Sequence, residues 1–83
     1  MIQVLLFARL RDQLGAPVVN LTLSTPATVH DLRQALQQQF AEHADSLAAG
    51  QALVAINQSL INDETAVIHN GDEVALFPPM TGG

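Results

Sequence analysis

The sequence predicts an α+β domain, a mixed sheet of about four to five strands with one main helix on one face. Three observations carry that prediction. Short apolar runs with a period of two open and close the chain, at residues 2–8 and 73–77. One longer stripe at helical spacing, Val29, Leu32, Leu36 and Phe40, lies between them. The 83 residues, 48% of them apolar, suffice for a single small core that buries about 60–65% of the surface exposed by the unfolded chain.

The first strand spans residues 2–8, with Ile2, Val4 and Leu6 on one face and Gln3, Leu5 and Phe7 on the other. Both faces are partly apolar, so the one turned away from the helix is a candidate contact surface. Arg9 to Leu14, ending at Gly15, suit a short helical turn with a glycine cap. A second strand follows at 17–23, and the gap before it is too long for a tight hairpin. Ser24 to Ala27 read as a loop. Thr28 and Asp31 have capping-box spacing at the start of the main helix, which should end between Phe40 and Glu42 with Arg33, Gln34, Gln37 and Gln38 facing water. Residues 41–51 look irregular, with a turn at 45–49. A third strand is expected at 52–56, a turn at Asn57-Gln58 and a short partner strand at Leu60-Ile61. Residues 62–68 read as a polar connection, Asn70-Gly71 as a turn, and 73–77 as the last strand. With the helix crossing one face, the last strand can pair beside the first in mid-sheet. That order is the β-grasp arrangement, and it makes Phe7 and Phe77 neighbours on the outer face.

After Phe77 the chain reads Pro78-Pro79-Met80-Thr81-Gly82-Gly83. Proline donates no backbone hydrogen bond, so Pro78-Pro79 should end the strand and start an extended arm. The expected organisation is therefore a domain at 1–77 and a diglycine tail at 78–83. Six residues reach roughly 20 Å at most, enough to enter a neighbour's pocket. Glycine passes a channel that a bulky side chain would block. Leu5, Phe7 and Phe77, joined by Leu60, would form an apolar patch at the root of the tail, and such patches mark interfaces.

Composition narrows the chemistry. The formal charge is −5, with three arginines and no lysine, which argues against nucleic acid or an anionic membrane as partner and favours a basic docking surface. No apolar run approaches a membrane span and no leader is legible, so a cytoplasmic protein is expected. His30, His43 and His69 lack ligand spacing, so no metal site is expected. Without cysteine there is no thiol nucleophile. If sulfur is carried at all, the attachment point left is the carboxylate of Gly83. No nucleophile, base and acid stand together, and no phosphate loop occurs, so the domain has no self-contained active site and no bound cofactor.

The residues Ile2 to Ala8 with Arg11, Thr28-Val29 with Leu32-Arg33, Val54 to Gln58, Asn70 to Ala75, and the ending Phe77-Pro78-Pro79 with Thr81-Gly82-Gly83 together resemble the family of molybdopterin synthase small subunits. The resemblance implies a ubiquitin-like β-grasp fold and a sulfur-carrier role. It implies that a ubiquitin-activating-type enzyme adenylates Gly83 with ATP and that a sulfur donor converts it to a thiocarboxylate. The large synthase subunit, in a heterotetramer of two small and two large chains, would then pass the sulfur to cyclic pyranopterin monophosphate. Gly83 would carry the chemistry and Gly82 would give access. Leu5, Phe7, Leu60, Phe77, Pro78, Pro79, Met80 and Thr81 would meet the partner. Three other readings stay open: a thiamin-pathway sulfur carrier, a protein-conjugating ubiquitin-like modifier, and an interaction module without tail chemistry.

Overall fold

The computed structural model describes residues 1–79, which fold around a five-stranded mixed sheet in the order β2-β1-β7-β4-β5. β1 (Ile2–Leu6) pairs antiparallel with β2 (Val18–Leu21) on one side and parallel with β7 (Val74–Phe77) on the other. β7 in turn pairs antiparallel with β4 (Leu53–Ile56), and β4 with β5 (Ser59–Ile61). The last strand therefore lies in the middle of the sheet, flanked by the first. This is the β-grasp arrangement that the element order implies.

The long helix α2 (Val29–Gln39) covers one face, burying Val29, Leu32 and Leu36 against Val4, Leu6, Val54, Val74 and Leu76. Its start is fixed locally. Thr28 Oγ1 accepts from the N–H of Asp31, and the Asp31 carboxylate accepts from the N–H of Thr28, each at 3.1 Å. Those two bonds satisfy donors that a helix start otherwise leaves without partners. The N–H of Thr28, with its hydroxyl, also holds the Asp31 carboxyl below the ordinary carboxylate range. A 3-10 turn (Ala41–His43) and a short helix α3 (Ala44–Leu47) follow, slightly ahead of the turn expected at 45–49.

Four local expectations are corrected. The first strand stops at Leu6, not residue 8, because the chain enters α1 (Ala8–Leu14) with Ala8 at a φ of 52°. The second strand is shorter than 17–23. Residues read as loop and polar connection supply a two-stranded ribbon, β3 (Ala27–Thr28) with β6 (Val67–Ile68), and Ile68 lies in the core. Strands of two residues are too short to show a period.

The fourth correction concerns the helix face assigned to water. Arg33 is only 6% exposed. Its Nε and Nη2 donate to the two carboxylate oxygens of Glu64 at 2.8 and 2.9 Å, and Nη1 donates to the carbonyls of Leu47 and Ala52. Gln37 is half-buried and donates to the Ala44 carbonyl. Helical periodicity marks the stripe facing the sheet, but it cannot see the 44–52 segment that packs on the flank of α2.

Candidate functional site

The sheet face away from α2 is built from residues of one parity. The pairing register puts Val18 opposite Leu5, Leu5 beside Ala75, Ala75 opposite Ala55, and Ala55 opposite Leu60. One apolar row thus crosses all five strands. Beside it, Leu53 lies opposite Phe77. Phe7 follows β1 with extended backbone, and its N–H donates to the Leu76 carbonyl at 3.1 Å, which continues the parallel ladder and brings Phe7 level with Phe77.

Of the residues singled out from sequence, Leu5, Phe7, Leu60 and Phe77 are therefore brought to one face. Leu60 and Phe7 are the most open, at 53% and 48% exposed. Leu5 and Phe77 are half-buried, as are Pro78 and Pro79 immediately after the strand. Phe7 is not a strand residue as expected but the residue that precedes α1. Met80, Thr81, Gly82 and Gly83 lie outside the described residues. Sequence reasoning missed Val18, Leu53 and Ala55 as members of the face. Alternation within 52–56 could have placed Leu53 and Ala55 there, once β4 was known to pair with the last strand.

The opposite end of the sheet is tied by polar groups. Asn57 and Gln58 form a two-residue hairpin turn with φ of 51° and 69°, which gives the twist that antiparallel strands need. Asn57 Nδ2 donates to Asp72, and Asn57 Oδ1 accepts from the N–H of Glu73. The same Asp72 carboxylate accepts from the N–H of His69 at 2.8 Å, and this bond, aided by Asn57, lowers its pKa. These bonds fix the start of β7, one strand length from Phe77.

Two surface cavities of about 360 and 250 Å³ are lined by Gln13 with residues 39–43 and by Arg33 with the β4–β5 edge. Neither includes Phe7 or Phe77. Among the described residues no group of three or more His, Cys, Asp or Glu could hold a metal ion. No helix there is long and apolar enough to cross a membrane. The face and the strand end can offer a hydrophobic seat and aim whatever follows Phe77, but they bring no acid, base and nucleophile together.

Known proteins give the arrangement a context. The chain is 45% identical to a molybdopterin synthase sulfur carrier subunit of Haemophilus influenzae and 41% identical to one of Escherichia coli, each over the full length of both chains. The crystal structure of Haloferax volcanii small archaeal modifier protein 1 superposes with a TM-score of 0.78 at 27% identity, covering 95% of this chain and 97% of that one. The fold also matches a chain of the Helicobacter pylori complex of molybdopterin-converting factor subunits 1 and 2, with a TM-score of 0.67 at 22% identity, over 99% and 97% of the two chains. The ThiS family pattern matches residues 4–83, and with full-length relatives at this identity the chain belongs to the ThiS family.

Proposed function

We propose that this protein is the sulfur carrier subunit of a molybdopterin synthase, acting in the cytoplasm through the α-carboxylate of Gly83. The observation that carries the reading is the full-length 45% identity to a carrier subunit of that kind. The placement of the apolar face beside the end of β7 supports it. In this reading residues 1–77 are the body and 78–83 an arm that delivers the chain end.

A carboxylate is a poor electrophile. An adenylating partner of the ubiquitin-activating type removes that obstacle: a Gly83 oxygen attacks the α-phosphate of ATP and pyrophosphate leaves. A sulfur donor then displaces AMP, leaving a C-terminal thiocarboxylate. The large synthase subunit receives the arm and the sulfur passes to cyclic pyranopterin monophosphate, a sulfurtransferase reaction shared between two chains. Leu5, Phe7, Leu60 and Phe77 seat the body, Pro78 to Thr81 span the entrance, and Gly82 lets the end through. Two small and two large subunits form the working assembly. All three cations of the chain are arginines, so no side-chain amine of its own competes for the activated carboxyl.

The likeness to a small archaeal modifier protein supports a second reading, in which the same activated end is joined to lysines of other proteins. Intact-mass analysis of protein from its native cell separates the two. The carrier gives a species with one oxygen replaced by sulfur, and the modifier gives isopeptide conjugates. Finding conjugates and no thiocarboxylate would overturn the carrier reading.

A further inference from the structure

The smaller of the two cavities, about 250 Å³, lies at the β4–β5 edge of the sheet. Leu53 belongs both to its lining and to the apolar face, where it lies opposite Phe77. The face is therefore continuous with this cleft at the sheet edge. Ala49, Val54 and Ile61 give the cleft further apolar wall. It is smaller than the roughly 300–1,000 Å³ of small-molecule sites and is the size for one large side chain.

The polar lining is Arg33, Asn62 and Glu64. Arg33 is buried, and four of its five N–H bonds are engaged. Nε and Nη2 donate to the two Glu64 oxygens, and Nη1 donates to the Leu47 and Ala52 carbonyls. The remaining N–H on Nη2 has no acceptor among the described residues. Each Glu64 oxygen accepts one bond from Arg33 and keeps a second lone pair, and the Glu64 side chain is 34% exposed. The cleft thus holds an unused donor beside unused acceptors, within apolar walls.

We infer that this cleft is an anchor pocket for a tyrosine of the large synthase subunit, whose ring enters between the apolar walls and whose hydroxyl meets Arg33 and Glu64. The inference rests on the carrier reading above and adds the residue type that the partner supplies. A phenol hydroxyl accepts from the free Nη2 N–H and donates to a Glu64 oxygen, so one atom answers both groups. Other side chains fail on one count each. Arginine and lysine cannot accept, and they bring a second cation to the guanidinium. Aspartate and glutamate cannot donate, and they meet the charge of Glu64. Histidine holds its donor and acceptor on nitrogens that point apart. Asparagine and glutamine add a further N–H to satisfy and have no ring for the walls. Tryptophan only donates, phenylalanine does neither, and serine and threonine leave the walls uncovered. An aromatic anchor seated in a pocket is also the form that interface hot spots take.

The test uses the full chain and the large synthase subunit of the same organism. Ala49 lines the cleft and is exposed, so Ala49→Phe fills the cleft and leaves Phe7 and Phe77 in place. It should keep the thermal midpoint at or above that of wild type and weaken binding in titration calorimetry by about tenfold or more. Replacing the large subunit's tyrosines by phenylalanine, one at a time, should find one whose loss costs roughly tenfold against wild type and almost nothing against the Ala49→Phe chain. Unweakened binding of folded Ala49→Phe, or no tyrosine hydroxyl that matters, would overturn the anchor and leave the carrier reading standing. If Ala49→Phe does not fold, an NMR titration of the wild-type chain with p-cresol decides. It should shift amides in 49–53 and 61–64, and toluene, which lacks the hydroxyl, should bind there more weakly. Equal response to the two probes, or shifts confined to the Phe7 and Phe77 end, would overturn the anchor. Failure of the wild-type chain to bind the large subunit would overturn the carrier reading, and the anchor with it.

Discussion

At the scale of single residues, the proposed function assigns docking and reaction to different groups. Phe7 and Phe77 lie side by side on an uncharged face. Phe7→Asp or Phe77→Asp should weaken binding to the large subunit by more than about 2 kcal/mol, since each puts a charge into a desolvated centre. Titration calorimetry on folded variants reads this directly. Gly82→Val leaves that face intact and widens only the arm. The complex should then form with near-normal affinity while sulfur transfer falls by roughly a hundredfold, the cost of a misplacement near 1 Å. Single-turnover transfer from a chemically made thiocarboxylate, at saturating large subunit, is the measurement, and near-normal turnover would count against a narrow channel. Ala8 adds a structural prediction. At a φ of 52° a side chain costs roughly 1–2 kcal/mol, and glycine's greater chain entropy offsets only about half of that. Ala8→Gly should therefore raise the denaturation midpoint without moving Phe7.

Elements show what sequence reading can and cannot reach. The capping box, the Gly15 cap on α1 and the Asn70-Gly71 turn were legible because each is a local bargain between a few neighbouring residues, and each is present. Leu5, Phe7, Leu60 and Phe77 could be assigned to one face because strand parity is also local. The β3–β6 ribbon and the role of Arg33 were not legible. Both depend on partners more than ten residues away, Val67 and Ile68 in one case, Glu64 and the Leu47 and Ala52 carbonyls in the other. Arg33 is the clamp that holds α2, the 44–52 segment and the β5–β6 connection together. Arg33→Ala orphans two carbonyls and strips Glu64 of its partner, so a loss of about 3 kcal/mol is expected in denaturant unfolding. Glu64→Gln should cost less, because an amide still accepts one of the two bonds.

At the scale of the whole molecule, four carboxyls share one direction of shift. Hydrogen bonds from Thr28, Thr65, Arg33 and His69 lower the pKa values of Asp31, Asp63, Glu64 and Asp72 respectively. Groups depressed in the folded state contribute stability above their unfolded pKa and lose it as pH falls through the folded one. Unfolding free energy should therefore decline as pH falls below about 4.5, with the Asp31→Asn and Asp72→Asn variants showing a shallower decline. Thermal melts across pH 2.5–7 check this. The topology has a mechanical consequence as well. β1 and β7 run parallel as central neighbours, so Met1 and Phe77 lie at opposite ends of one ladder. Tension applied between the two ends of the chain loads the slanted, evenly spaced bonds of that ladder together, in shear, instead of peeling them one at a time. Pulling on the tail against the amino terminus should thus meet high resistance, whereas a pair of handles at Gln58 and Met1 should unzip the sheet at lower force. If other proteins grip the residues after Phe77, as the proposed function requires, the central ladder lies along the line on which they pull.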